Sequence, residues 1–272
     1  MKLNLLRFIS IALLVALASC TGGQKKSDSV LKAEDAFKRR DYVSAFNLYM
    51  TEAEKGDPEA QFRVGYMYSN GKGAKKDQTQ AVEWLTKAGN GGHAMAQHNL
   101  GIIHQKGRGV TKSSSEAARW YTMAAKQKVV DSQINLAVLY YKGDGVEKDK
   151  REAARYFGMA ADSGNVRAQT SLAMMLMKAD GVAQDYAQAL KLFKTAANAN
   201  NPYAQKYLGD MYAQGLGSTQ SRAEALHWYY KAADSYLKLG QKKRAGTVAK
   251  VIGEIDPNSR EYGLLVDKIE GP

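Results

Sequence analysis

Apolar side chains recur every three or four residues along most of this chain, and the blocks they form repeat at a longer fixed interval. Between Asp57 and Gly92, Ala60, Val64, Met67 and Tyr68 fall at i, i+4, i+7 and i+8, on one face of a helix. Asp57-Pro58 supplies an N-cap carboxylate and a proline suited to the first turn. Gly71-Lys72-Gly73 ends that helix. A second apolar stripe follows at Ala81, Trp84, Leu85, Ala88 and Gly89. Asp77 and Gln80 predict a capping box at its start, and Gly91-Gly92 closes it. The unit is a helix-turn-helix hairpin.

The same hairpin returns every 36 residues, marked by Gln61, Gln97, Gln133, Gln169 and Gln205. A period of this size predicts a stack of repeated supersecondary units instead of one folded-up core. Every column repeats the physics with different residues. The capping pair becomes Ser113/Glu116, Asp149/Glu152, Asp185/Gln188 and Ser221/Glu224, and the turn glycine becomes Gly109, Gly145, Gly181 and Gly217. Small residues stand at Ala81, Ala117, Ala153, Ala189 and Ala225, and a bulky wedge at Trp84, Trp120, Tyr156, Leu192 and Trp228. Its neighbour is Leu85, Tyr121, Phe157, Phe193 and Tyr229. Small and large residues alternate on one face, as interlocking helices require. Five such repeats occupy residues 57–236. Half a unit precedes them in a cap at 29–56, and after Tyr236 the register is lost in a divergent helical cap at 237–272. Terminal repeats differ because they close the stack.

The motif A-Q-x-x-[LV]-[GA]-x-[MIL]-[YHL], a G-x-G-like turn and A-x-x-[WYL]-[LYF]-x-x-A-[AG] together resemble the Sel-one-like repeat, a relative of the tetratricopeptide repeat. The resemblance covers about residues 41–236. Ala137 and Ala173 depart from the first-helix glycine, Ala179 from the first turn glycine and Lys128 from the closing glycine. The resemblance implies an all-α fold, a right-handed superhelical solenoid with tetratricopeptide-like end units. It also implies a protein-protein interaction scaffold whose concave face is lined by first-helix residues off the packing stripe. The columns beginning at Phe62, Tyr66 and Ser69 are those residues. Their apolar members, Phe62, Tyr66, Ile102, Ile134, Val138, Tyr141, Met174 and Met177, are the candidate contacts for a protein or peptide ligand. Met and aromatic side chains give adaptable contacts. The same columns could instead pack between adjacent repeats, and periodicity alone does not separate the two. A binder of peptidoglycan or another envelope polysaccharide, stacking sugars on the aromatic columns, is the second functional expectation, and a hydrolase acting on envelope material the third.

The N-terminus carries a different signal. Lys2 and Arg7 flank a basic start, and Leu5 to Leu17 is an apolar run too short for a span of about 20 residues. Residues 1–19 read as a secretory signal peptide. Leu17-Ala18-Ser19-Cys20 resembles the bacterial lipobox, which implies lipidation at Cys20, a membrane anchor, and a tether at 20–28. Cys20 is the chain's one cysteine, so no internal disulfide is available. The expected location is the bacterial cell envelope, on the outer membrane facing the periplasm, since Thr21 in place of Asp follows the Cys.

The formal net charge is +12. Lys72, Lys75, Lys76, Lys106, Arg108 and Lys112 crowd the first two turns, at the tethered end, which predicts contact with anionic head groups. Nucleic acid is not expected as a partner of an exported chain. Candidate chemistry is sparse. His93, His98 and His104 are spaced by five and six residues, so no i, i+4 pair shares a helix face, and no metal or cofactor is expected. Gly107-Arg108-Gly109-Val110-Thr111-Lys112-Ser113 lacks the glycine a phosphate loop needs before its lysine, and follows a helix instead of a strand. No catalytic residue is assigned.

Overall fold

A computed structural model describes residues 27–271. The expected signal peptide, Cys20 and most of the tether lie outside the described residues. Fourteen helices and no strands occur among the described residues. The N-terminal pair is α1 (Asp28–Lys38) and α2 (Tyr42–Glu54). Five hairpins follow: α3 (Pro58–Asn70) with α4 (Gln78–Asn90), α5 (Ala94–Lys106) with α6 (Ser114–Lys126), and α7 (Val130–Lys142) with α8 (Lys150–Asp162). Next come α9 (Val166–Lys178) with α10 (Tyr186–Asn198), and α11 (Pro202–Gln214) with α12 (Arg222–Lys238). The chain finishes with α13 (Lys242–Ile255) and α14 (Arg260–Glu270). Each helix packs against the next, so the helix pairs stack consecutively into a solenoid.

The alanine column is fully buried at Ala81, Ala117, Ala153, Ala189 and Ala225, and the wedge rings of Trp84, Trp120, Tyr156 and Trp228 are buried beside it. Leu192, the smallest wedge, is only half-buried. A cation covers the outer face of each ring: Lys87 at 4.0 Å from Trp84, Arg119 at 4.3 Å from Trp120, Arg155 at 4.1 Å from Tyr156 and Lys231 at 4.7 Å from Trp228.

Close helix approach explains the first-helix glycine. A Cβ at Gly101 would lie 2.4 Å from the Tyr121 ring, and one at Gly209 2.7 Å from the Tyr229 ring. Both tyrosines are fixed by their hydroxyls, which donate to Gln105 (3.0 Å) and Asp210 (2.8 Å). Where the ring is Phe157 or Phe193, without that anchor, the column accepts Ala137 or Ala173.

The second helices do not use a full capping box. The N-cap side chain accepts as expected, Asp77 from the Gln80 N–H at 3.0 Å and Ser113 from the Glu116 N–H at 3.2 Å. The reciprocal half is displaced, because the N-cap's own N–H already donates to a first-helix carbonyl. Asp77 donates to Tyr68, Ser113 to His104, Asp149 to Tyr140, Asp185 to Leu176 and Ser221 to Tyr212, all at 2.9–3.1 Å. Glu116 and Glu152, left free, pair with Arg119 and Arg155.

The repeating glutamine is a buried tie. Each Nε2 donates to a carbonyl in the last turn of the preceding helix: Gln61 to Ala53 (3.1 Å), Gln97 to Gly89 (2.9 Å), Gln133 to Ala125 (3.5 Å), Gln169 to Ala161 (3.5 Å) and Gln205 to Ala197 (3.1 Å). That carbonyl already accepts one turn hydrogen bond, and the glutamine takes its second lone pair. Among the described residues, Gln97 of the second hairpin alone has its Oε1 also answered, by Gln127 Nε2 donating to it at 2.8 Å. Gln133, Gln169 and Gln205 leave theirs buried with no protein partner among the described residues. Exposed Ala199 stands in the Gln127 column opposite Gln169. Ala199→Gln is expected to supply the missing donor and raise stability by about 1 kcal/mol, read as a shifted urea midpoint at unchanged slope.

Departures at the ends follow their unlike neighbours. Helix α12 runs to 17 residues where the repeat helices have 13, and α14 buries only Leu265. Ala179 holds the left-handed cap of α9 at φ +54°, and Lys128 holds another left-handed turn at φ +63°.

Candidate functional site

The three first-helix columns have different environments. In the first, His98, Ile134 and Thr170 are buried, Ile134 being 3% exposed. Ile134 is therefore core, and the expectation that it contacts a ligand is corrected: adjacent repeats close over it. Phe62 is half-buried and its ring lies under His93, stacked at 4.3 Å. Tyr66, Ile102, Val138 and Met174 of the second column are half-buried, and so is Met177 of the third. Tyr141 is exposed.

Three of these meet at one place. Val138 and Tyr141 of α7 and Met174 of α9 line a depression of about 270 Å³, floored by Phe157 and Met175. Lys142, Lys178, Ser171 and Asp180 form the rest of its wall. Asp180 is spoken for. It accepts from the Tyr141 hydroxyl at 2.7 Å and from Lys150. Lys150, and then Tyr141, hold its carboxyl below the ordinary carboxylate range. Met177, Ile102 and Tyr66 lie outside this depression.

Tyr66 has its own occupant. The Lys72 ammonium sits 5.1–5.5 Å from the rings of Phe37, Tyr42 and Tyr66. Lys72 thus bridges the N-terminal pair to the first hairpin, and its charge is engaged within the protein. Lys75, Lys76, Lys106, Arg108 and Lys112 are exposed. The aromatic faces that a glycan would stack on are thereby partly covered, at Phe62 by His93 and at Tyr66 by Lys72.

Two of the three histidines have separate structural roles. His93 is the N-cap of α5, its Nδ1 accepting from the Ala96 N–H at 3.1 Å while Nε2 bonds Glu59 at 2.9 Å. His98 lies buried with Nδ1 2.7 Å from Ser132, and burial lowers its pKa. Among the described residues no group of three or more His, Cys, Asp or Glu is placed to hold a metal ion. The His93 bond, with help from Arg63, lowers the Glu59 carboxyl to about 2. A depressed carboxylate stabilises the fold above its unfolded pKa and loses that contribution as pH falls through the folded value. Stability should therefore decline between pH 4.5 and about 2. Glu59→Gln should flatten that part of the profile in pH-dependent thermal melts.

Phe157, Met175, Lys142 and Lys178 were not among the residues expected from the sequence. Phe157 belongs to the ring column of the second helix and reaches the depression from behind. The lysines had a legible signal: Lys106, Lys142 and Lys178 stand one period apart, each the last residue of its first helix.

A family model described as Sel1 repeat matches five successive segments, residues 58–93, 94–129, 130–165, 166–201 and 202–236. The chain belongs to the Sel1 repeat family. Sel1 repeat proteins are protein-protein interaction scaffolds of tetratricopeptide-related fold, a fold that is typically non-enzymatic. Similar solved structures include c5321, a protective antigen of uropathogenic Escherichia coli strains. It is 30% identical with a TM-score of 0.79 over 89% of this chain and 52% of that one. A Sel1 repeat protein from Oxalobacter formigenes is 29% identical, with a TM-score of 0.70 over 91% of this chain and 98% of that one. The Saccharomyces cerevisiae chitin synthase regulator SKT5 is 41% identical over 59 residues, 22% of this chain. This chain thus spans about half the length of the antigen, 52%, and its match takes in 8% of the regulator. Among the described residues, no helix is long and apolar enough to cross a membrane.

Proposed function

We propose that this Sel1 repeat protein is a lipid-anchored scaffold of the bacterial cell envelope, which captures an extended segment of a partner protein along its first-helix face. The depression lined by Val138, Tyr141 and Met174 carries the reading, because it leaves apolar side chains of neighbouring repeats open to solvent at one spot. Solenoids present extended surfaces of this kind. Cross-linking in cells, with identification of the captured protein, tests it. Wild type should yield one dominant partner. Met174→Asp should lose that partner while keeping its helical content, and retention of the partner at wild-type level would sink the groove.

The anchor rests on Cys20 and its lipobox-like context. Cys20→Ser should shift the protein from the membrane to the soluble fraction, and metabolic labelling with palmitate should disappear. The exposed Lys75, Lys76, Lys106, Arg108 and Lys112 give this end a basic edge suited to anionic head groups, each contributing about 1 kcal/mol near such a surface. Binding of the unlipidated chain to phosphatidylglycerol vesicles, weakened by salt, is the corresponding test. Equal binding to neutral vesicles would refute the basic edge.

A further inference from the structure

The depression between α7 and α9 carries charge information that its apolar floor does not. Lys142 and Lys178 end these two helices on either side of it, both exposed, and among the described residues neither has an ion-pair partner. The acidic group on the wall, Asp180, has both oxygens engaged, one by Tyr141 and one by Lys150. The rim is therefore cationic in excess. Lys106 extends the same column by one repeat. A lysine in the last helical turn complements the helix dipole, which explains a lysine at each of these positions taken alone. It does not explain why the half-buried Val138 and Met174 lie open between two of them, over a floor of Phe157 and Met175.

We infer that the depression binds an acidic peptide segment, one bulky apolar side chain entering between Lys142 and Lys178 while flanking carboxylates pair with the two ammonium groups. This inference rests on the partner-binding reading above and names the chemistry of the partner. The volume of about 270 Å³ falls just below that of pockets enclosing whole small ligands, and suits one or two inserted side chains. Carboxylates on either side of the anchor, on the same face of an extended segment, would meet the two lysines. The charged rim would raise the association rate and make binding fall with salt.

Panning a phage-displayed library of random linear peptides on the full chain tests this. The enriched peptides should place Asp or Glu on both sides of Leu, Met, Phe or Trp, and should elute with salt. Two variants separate the layers of the argument, Lys142→Glu with Lys178→Glu on the rim and Met174→Gln on the floor, each checked for an unchanged melting profile. Loss of about tenfold or more in affinity for the rim variant supports the inference. If the selected peptides are neutral or basic, or lose affinity only with the floor variant, the acidic partner is refuted while the groove stands. If neither variant affects them, the groove fails as well. Val138→Gln, at a half-buried position of the same lining, replaces the floor variant should Met174→Gln fail to fold.

Discussion

Trp120→Ala is expected to destabilise the solenoid by about 3–5 kcal/mol and to split its unfolding into two transitions. The indole is 2% exposed and belongs to the second hairpin, yet it packs onto the first, against Leu85 and Ala88, together with Leu100 of its own hairpin. The contact is tight enough that a Cβ on Gly89 would come within 2.9 Å of the ring. Arg119, 4.3 Å from the ring centre, would lose its cation–π partner in the same step. In a repeat array, stability is a sum of unit terms and nearest-neighbour interface terms. Weakening one interface this strongly uncouples the part before it from the part after it. Guanidinium unfolding followed by circular dichroism should show one transition for the wild type and two for the variant. Leu192→Ala, at the half-buried wedge of the fourth hairpin, should cost clearly less and keep a single transition. A single unshifted transition in Trp120→Ala would overturn this view of the interface.

The second large effect concerns a backbone position. Gly101→Ala should cost about 2–3 kcal/mol, since its Cβ would overlap the Tyr121 ring at 2.4 Å. Tyr121 is fully buried and tied to Gln105, so it has nowhere to move. The chain itself contains the remedy. Where Phe157 and Phe193 replace the tyrosine, alanine replaces the glycine. Tyr121→Phe frees the ring from Gln105, and the Gly101→Ala/Tyr121→Phe double variant should recover about half of the loss. A double-mutant cycle on urea midpoints measures that coupling, and strict additivity would contradict it.

How far the sequence discloses the molecule depends on whether a residue's role is local. Helix starts at Asp57, Ser113 and Asp149 were legible because an N-cap needs only its own next three residues. The wedge and alanine columns were legible because five copies align. The capping box was half right, since the N–H it needed is consumed by a first-helix carbonyl nine residues upstream. The glutamine column announced the repeat but not its own task, which requires knowing that its carbonyl partner folds back across a short turn. The groove was the least legible part. Ile134 and Val138 are both apolar first-helix residues one turn apart, and only the stacking of α5, α7 and α9 buries the first and opens the second. Lys72 likewise counts as one more surface cation until three rings from three different helices close around it.

The glutamine tie reaches back only eight residues, and the N-cap N–H only nine. These recurring bonds are each carried inside a single period, whereas the Tyr141–Asp180 and His98–Ser132 bonds each belong to one junction alone. A 36-residue block could be duplicated or excised with these recurring bonds kept. Copy number then works as a ruler: one more hairpin before α7 would carry the depression one step farther from the N-terminal end, leaving its lining unchanged. Reach, in such a molecule, can evolve separately from recognition.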